Sequence, residues 1–115
     1  MSILTNLADA ASWHQRALEL RPVGLALING ALVPARSGAT FADLSPIDGR
    51  KLADVAACGA ADIDAAVAAA RSAFERQDWS ELPPAELKRG RLRFAALVEE
   101  ASPELALLET LDMGK

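Results

Sequence analysis

The chain has 115 residues, of which 51% are hydrophobic and only 4% aromatic, and its formal net charge is −4. Its length suits one ordinary domain, but much of the apolar content is alanine, which buries little surface per residue. The acidic balance argues against a nucleic-acid partner, and no apolar run is long enough to span a membrane. Charged residues interrupt the first twenty positions, so a signal peptide is not expected, and one cysteine agrees with a reducing compartment. We therefore expect a cytoplasmic protein.

The first part of the chain predicts a helix and a tight hairpin. Apolar residues recur at helical spacing over positions 5–21, and Pro22 is expected to stop that helix. Asn29-Gly30 then separates two short apolar runs within positions 25–33. Because both residues tolerate positive φ, this dipeptide predicts a two-residue β-hairpin.

A second hairpin is predicted after the first one. The residues from Thr40 to Leu44 alternate like a strand, and Asp48-Gly49 turns the chain toward a further apolar segment. In that segment Leu52 and Val55 do not share strict alternation, which predicts a longer loop or a bulge.

The pattern changes to helix from Ala60 to about Gln77. Asp62 and Asp64 are expected in the first turn, where carboxylates interact favourably with the positive end of the helix dipole. One face of this helix is apolar, which predicts an amphipathic helix that needs a partner surface. The residues of that stripe are Ile63, Val67, Ala70 and Phe74.

Two further helices are predicted in the last third of the chain. The first begins at Pro83-Pro84, since proline is well tolerated at the first helical position. Ser102-Pro103 predicts a break, with Ser102 capping a final helix. Their inward residues are expected to be Leu87, Phe94, Leu97, Val98 and Ala101, then Leu105, Leu108 and Leu111. With no linker or repeat, we expect residues 1–115 to form one α+β unit, mainly helices with two small β-hairpins.

The polar and nucleophilic side chains do not form a recognisable catalytic set. Cys58 precedes a helix, which could lower the pKa of a thiol, but a small residue in a turn is the favoured interpretation. His14 has no identifiable partner, and Glu99-Glu100 is typical of a solvated face. The glycines are isolated, without a phosphate-binding pattern. The short basic run is interpreted as a solvated face rather than a phosphate site; it comprises Lys88, Arg89, Arg91 and Arg93.

Four stretches together resemble the amino-terminal region of the NAD(P)-dependent aldehyde dehydrogenases, in that family's order. They are LING at 27–30, DLSPIDGRKLADVAAC at 43–58, DIDAAVAAARSAFERQDWS at 62–80 and PELALLETLDMGK at 103–115. The resemblance covers about positions 25–115. It implies that the chain is the amino-terminal part of the cofactor-binding domain of a three-layer α/β enzyme, and that the parent protein continues beyond it. The opening helix, with Trp13-His14-Gln15, is similar to that of the branch that oxidises gamma-glutamyl-gamma-aminobutyraldehyde in polyamine catabolism.

The resemblance implies an enzyme that oxidises an aldehyde to a carboxylic acid with NAD or NADP and commonly forms a homo-oligomer. The family's cysteine lies in a Gly-Gln-x-Cys setting and its glutamate in a Glu-Leu-Gly-Gly setting, and neither string occurs in this sequence. We therefore expect no catalytic, cofactor-binding or metal-binding residues in the chain and no activity from it alone. In some family members, residues matching Asp112 and the main chain near Asp43 contribute to a cation site, which is not expected here. Trp79 resembles a family tryptophan and is interpreted as a packing residue.

Two other interpretations remain open at the level of sequence. The chain could be a non-catalytic helical module, or a truncated remnant, that binds a protein partner. It could also be an acidic regulatory subunit that uses the edges of its hairpins to pair with another sheet.

Overall fold

The computed structural model describes residues 10–114 and contains helices and two small antiparallel sheets, so the predicted α+β composition of the chain is confirmed. Each sheet is a hairpin of two sequential strands. In chain order the elements are α1 (Ala10–Glu19), β1 (Ala26–Ile28), β2 (Ala31–Val33), β3 (Thr40–Leu44), β4 (Lys51–Ala56), α2 (Ala60–Arg76) and α3 (Pro84–Met113).

The first hairpin forms as its turn dipeptide predicts. Ala26 pairs with Val33 and Ile28 pairs with Ala31, which leaves two residues in the turn. Those residues, Asn29 and Gly30, have φ values of 52° and 75°. Positive φ at both central positions is the requirement of a type I′ turn, whose twist matches that of the flanking strands.

The second hairpin contains the predicted irregularity. Strands β3 and β4 run antiparallel from the pair Thr40 and Ala56 to the pair Leu44 and Lys51. The register shifts between Asp43 and Leu44, because the two strands differ by one residue over this stretch. The prediction of a bulge is therefore confirmed.

Helix α1 ends earlier than the sequence pattern predicted. Its described part stops at Glu19, and the predicted positions 5–9 lie outside the described residues. The helix is joined to the second hairpin by Arg50, whose Nη2 donates a hydrogen bond of 3.3 Å to the carbonyl oxygen of Ala17. This bond connects two elements that are more than thirty residues apart in the sequence.

Asp62 fixes the beginning of helix α2. Its Oδ2 accepts a 2.9 Å hydrogen bond from the backbone N–H of Gly59, and its Oδ1 accepts a 3.0 Å bond from the backbone N–H of Arg36. The residue is only 4% exposed. The sequence predicted an interaction with the helix dipole, and the structure adds two hydrogen bonds that connect separate parts of the chain. Asp64 lies beyond the first turn, contrary to the prediction.

The hydrogen bonds to Asp62 stabilise its charged form. The pKa of this carboxyl is lowered, chiefly by the N–H of Gly59 and then by the N–H of Arg36, and these effects outweigh its burial. The side chain therefore holds the loop after β2 against the start of α2 as long as it stays ionised.

Helix α3 is continuous through Ser102 and Pro103, so the predicted break there is wrong. A proline inside a helix removes one backbone hydrogen bond, whereas ending and restarting the helix would leave several N–H and carbonyl groups unpaired. The helix does begin at the predicted Pro84, and it ends at Gly114 with a φ of 72°. A Cβ atom added to Gly114 would lie 2.9 Å from Cγ of Pro46, so the helix end lies close to the turn of the second hairpin.

The described residues bury very little apolar surface. Ala35 and Leu111, 3% and 7% exposed, are the buried hydrophobic residues found between positions 10 and 114. Phe94 and Leu105 of the predicted inward stripe of α3 are exposed, so the described residues provide no surface that covers them. The radius of gyration is 18.2 Å, against about 13 Å for a compact domain of this length. The molecule is a flat plate of 49 × 44 × 18 Å.

Gly24 allows the segment before β1 to lie against β4. Its carbonyl oxygen accepts a 2.7 Å hydrogen bond from the N–H of Ala56. A Cβ atom at position 24 would lie 1.9 Å from the carbonyl oxygen of Asp54, so no larger residue fits without movement of the backbone.

We predict that Gly24→Ala separates this segment from β4. Overpacking of this kind costs roughly 1–3 kcal/mol, so the amide of Ala56 should exchange its hydrogen about tenfold faster or more. Amide exchange followed by NMR on the 115-residue chain measures this directly. Gly59→Ala is the matched control, because a Cβ atom there meets nothing within 4 Å. Equal exchange rates in the two variants would contradict the prediction.

We also predict that Asp62→Ala loosens the loop after β2 and the start of α2. Because the pKa of Asp62 is lowered in the fold, its contribution is complete above about pH 4 and is lost as the pH falls through the folded-state value. At neutral pH the amides of Arg36 and Gly59 should exchange faster in the variant, and this difference should shrink in acid. Asp64→Ala removes an exposed carboxylate from the same helix and should leave both amides unchanged.

Candidate docking surface and acidic pair

Helix α2 has two apolar faces, and only one of them is covered. Ala66 and Ala69 line a cavity together with Leu27 and Ile28 of the first hairpin, so alanines permit close contact between the helix and that hairpin. The predicted stripe lies on the adjacent face, with Ala70 at the border because it also lines this cavity. We call it the α2 stripe, and it consists of Ile63, Val67, Ala70 and Phe74.

The α2 stripe has the predicted helical spacing, and no described residue covers its large side chains. Its three large members are all more than half exposed, and Phe74 is 71% exposed. A folded chain that exposes large apolar side chains in a row presents a surface for another protein segment. The sequence pattern predicted that this helix needs a partner surface, and the described residues do not supply one for the large side chains of the α2 stripe.

Helix α3 adds a second exposed apolar row. Phe94 is 69% exposed, and Leu97, Val98 and Leu105 are also exposed. The prediction that these residues face inward does not hold within the part of the chain that is described. Their burial therefore requires a surface supplied from outside residues 10–114.

Trp79 connects the two long helices. A Cβ atom at Gly90 would lie 3.2 Å from two ring carbons of Trp79, so the indole lies directly over this glycine of α3. The interpretation of Trp79 as a packing residue is confirmed, although the side chain remains half exposed. The absence of a side chain at position 90 makes this contact possible.

Arg71 lies beside the α2 stripe, close to the ring of Phe74. Its guanidinium carbon is 5.7 Å from the ring centre of Phe74, within cation–π range. None of the ion pairs found between residues 10 and 114 includes Arg71. Arg76, further along the same helix, instead pairs with Asp78 at 2.7 Å.

Asp43 and Asp112 bring two carboxyl groups to one cavity. Burial raises the pKa of Asp43, and the charge of Asp112 and a hydrogen bond to it raise that pKa further. No cluster of three or more His, Cys, Asp or Glu side chains suited to a metal occurs in the described part of the chain.

The remaining candidate side chains lie apart on separate elements. Cys58 is exposed between β4 and α2, whereas His14 is exposed on α1. Glu100 pairs with Arg93 at 3.9 Å, and Glu86 pairs with Arg89, so the basic run is interspersed with carboxylates on the surface of α3. This arrangement fits a solvated helix face.

Among residues 10–114, none of the helices has the length and apolarity needed to cross a membrane.

The sequence matches the family model described as the aldehyde dehydrogenase family over residues 32–115. Among curated relatives, it is 50% identical to aminoacetaldehyde dehydrogenase of Pseudomonas aeruginosa over 97% of this chain and 23% of that protein. It is 42% identical to the NADP/NAD-dependent aldehyde dehydrogenase PuuC of Escherichia coli over 96% of this chain and 22% of that protein. The chain therefore spans less than a quarter of the length of these relatives.

Solved structures agree in fold. The indole-3-acetaldehyde dehydrogenase AldA of P. syringae, in complex with NAD⁺ and IAA, matches 90% of this chain and 21% of its own with a TM-score of 0.85 and 54% identity. Gamma-glutamyl-gamma-aminobutyraldehyde dehydrogenase of Burkholderia cenocepacia matches 89% of this chain and 21% of its own with a TM-score of 0.85 and 53% identity. The family model, the sequence relatives and these structures agree, and the chain belongs to the aldehyde dehydrogenase family.

Proposed function

We propose that residues 1–115 form the amino-terminal part of the cofactor-binding domain of an NAD(P)-dependent aldehyde dehydrogenase, and that this part is structural. Its role is to pack the exposed rows of α2 and α3 against the remainder of the enzyme. The observation that carries the proposal is the combination of family membership with large apolar side chains left bare, above all Phe74 and Phe94.

The accessible surface supports this role quantitatively. The chain exposes 8927 Å², whereas a folded monomer of its 12.1 kDa mass exposes about 6,000 Å². The surplus is about 3,000 Å², which exceeds the roughly 1,000–2,500 Å² that one partner contributes to an obligate interface. A plate with that much surplus surface is suited to being one layer of a larger fold.

The chemistry is assigned to the complete enzyme rather than to this part of it. The complete enzyme oxidises an aldehyde to a carboxylic acid with NAD or NADP, acts in the cytoplasm and forms a homo-oligomer. In this proposal Cys58 and His14 take no part in catalysis, and the segment binds no cofactor or metal. Family membership, the isolated positions of these two side chains and the absence of the family's catalytic strings support this division.

The substrate proposed is an aldehyde from polyamine breakdown. Two of the similar proteins are named for amino-substituted aldehydes, aminoacetaldehyde and gamma-glutamyl-gamma-aminobutyraldehyde. Another, equally similar in sequence, is named for indole-3-acetaldehyde. The polyamine assignment therefore rests on the opening helix and these two relatives.

We predict that the 115-residue chain alone does not oxidise aldehydes. With NAD⁺ or NADP⁺ and an aldehyde it should give no reduced cofactor, since it lacks the family's cysteine and glutamate motifs. It should also unfold over a broad temperature range and bind a dye for apolar surface. Turnover would refute the structural assignment. A sharp unfolding transition with little dye binding would instead favour a self-sufficient interaction module.

We further predict that the segment can replace its counterpart in a relative. A chimera in which residues 1–115 substitute for the matching segment of the P. aeruginosa aminoacetaldehyde dehydrogenase should be soluble and oxidise aminoacetaldehyde. Val67→Asp places a charge in the α2 stripe and should abolish soluble enzyme, because a buried unpaired charge costs several kcal/mol. Ala68→Asp, on an exposed position off the stripe, is the matched control and should be tolerated. An inactive parent chimera would contradict the proposed function.

A further inference from the structure

The α2 stripe and Arg71 together specify the chemistry of the surface that covers them. This inference rests on the proposed function, since it names the partner of the same docking surface. We propose that α2 packs against an apolar surface of the remainder of the enzyme that carries a carboxylate facing Arg71.

The charged group of Arg71 lies next to the apolar side chains of the α2 stripe. Arg71 lines the same shallow groove as Val67, Ala70 and Phe74. Its guanidinium carbon lies 5.7 Å from the centre of the Phe74 ring, so a surface that covers this ring also removes water from the guanidinium. An arginine remains charged under all ordinary conditions and cannot escape by losing its proton.

A desolvated guanidinium needs an acceptor, and the described residues offer it none. Glu75 is four residues further along the helix, at a spacing that permits an ion pair, yet it forms no ion pair with Arg71. Leaving a charge buried and unpaired costs far more than an ion pair gains, so the acceptor must come from the covering surface. A carboxylate matches the planar fork of arginine and balances its charge.

The area to be covered identifies the occupant as a large surface rather than a short peptide. The surplus of about 3,000 Å² over a compact monomer exceeds the roughly 800 Å² that each partner contributes to a standard interface. The α2 stripe and the exposed row of α3 both belong to this surplus. The remainder of the enzyme is the partner of sufficient size.

Substitutions at Arg71 in the active chimera test the carboxylate. The readout is the half-life of activity at a fixed elevated temperature. Arg71→Lys keeps the charge but loses the planar fork, so it should shorten the half-life less than Arg71→Gln does. Arg71→Gln leaves the carboxylate unpaired and should shorten it at least about tenfold, and Arg71→Glu should shorten it further through repulsion. Arg76→Gln is the matched control, because Arg76 already pairs with exposed Asp78, and it should change the half-life little.

The outcomes separate the inference from the function that it rests on. If Arg71→Gln equals the parent chimera, Arg71 stays in water and the inference is overturned. If Arg71→Gln and Arg71→Glu are equally impaired, the acceptor is an uncharged carbonyl and the carboxylate is wrong. A parent chimera that is active while both variants are neutral leaves the proposed function intact. An inactive parent chimera removes the basis of both.

Discussion

Large apolar side chains must leave water for a fold to be stable, and this chain cannot achieve that with its own residues. Its two hairpins and three helices form a plate 18 Å thick in which Leu111 is the one large apolar side chain buried among the described residues. A second layer of structure is the usual solution, because sheets and helices bury their apolar faces against each other. The excess surface and the exposed apolar rows on α2 and α3 both show that a covering layer is required. Family membership agrees with this, because the chain matches less than a quarter of the length of its relatives.

A few specific contacts, rather than a core, hold the plate in shape. Asp62 joins the loop after β2 to the first turn of α2, and Arg50 joins the second hairpin to α1. The backbone of Gly24 lies against β4, and Trp79 lies over Gly90. The contact at Gly24 requires glycine, because a Cβ atom there would lie 1.9 Å from the carbonyl oxygen of Asp54. The apolar rows can then remain open for docking without loss of the local geometry that aligns them.

Local signals in the sequence predicted the elements well and their surroundings poorly. Asn29-Gly30 predicted its hairpin because a type I′ turn needs positive φ at both positions and few residues supply it. Pro103 suggested a helix end, but the helix continues through it. One missing hydrogen bond costs less than the unpaired groups at two new helix ends, and this comparison cannot be made from the local sequence. The second hydrogen-bond donor to Asp62, the N–H of Arg36, is 26 residues away in the sequence. No local pattern around Asp62 could therefore predict this contact. The α2 stripe was predictable from spacing alone, whereas its exposure depended on which surfaces the rest of the chain could provide.

Because α3 is uninterrupted, the number of its residues fixes the distance and the rotation between its two ends. Thirty residues at about 1.5 Å each give a rod of about 45 Å, close to the longest dimension of the plate. Gly90 near one end receives Trp79, and Gly114 at the other end meets Pro46. Inserting or deleting one residue between them would rotate one end relative to the other by about 100°. We therefore expect an insertion or deletion within α3 to disrupt the contacts at its two ends more than a substitution would.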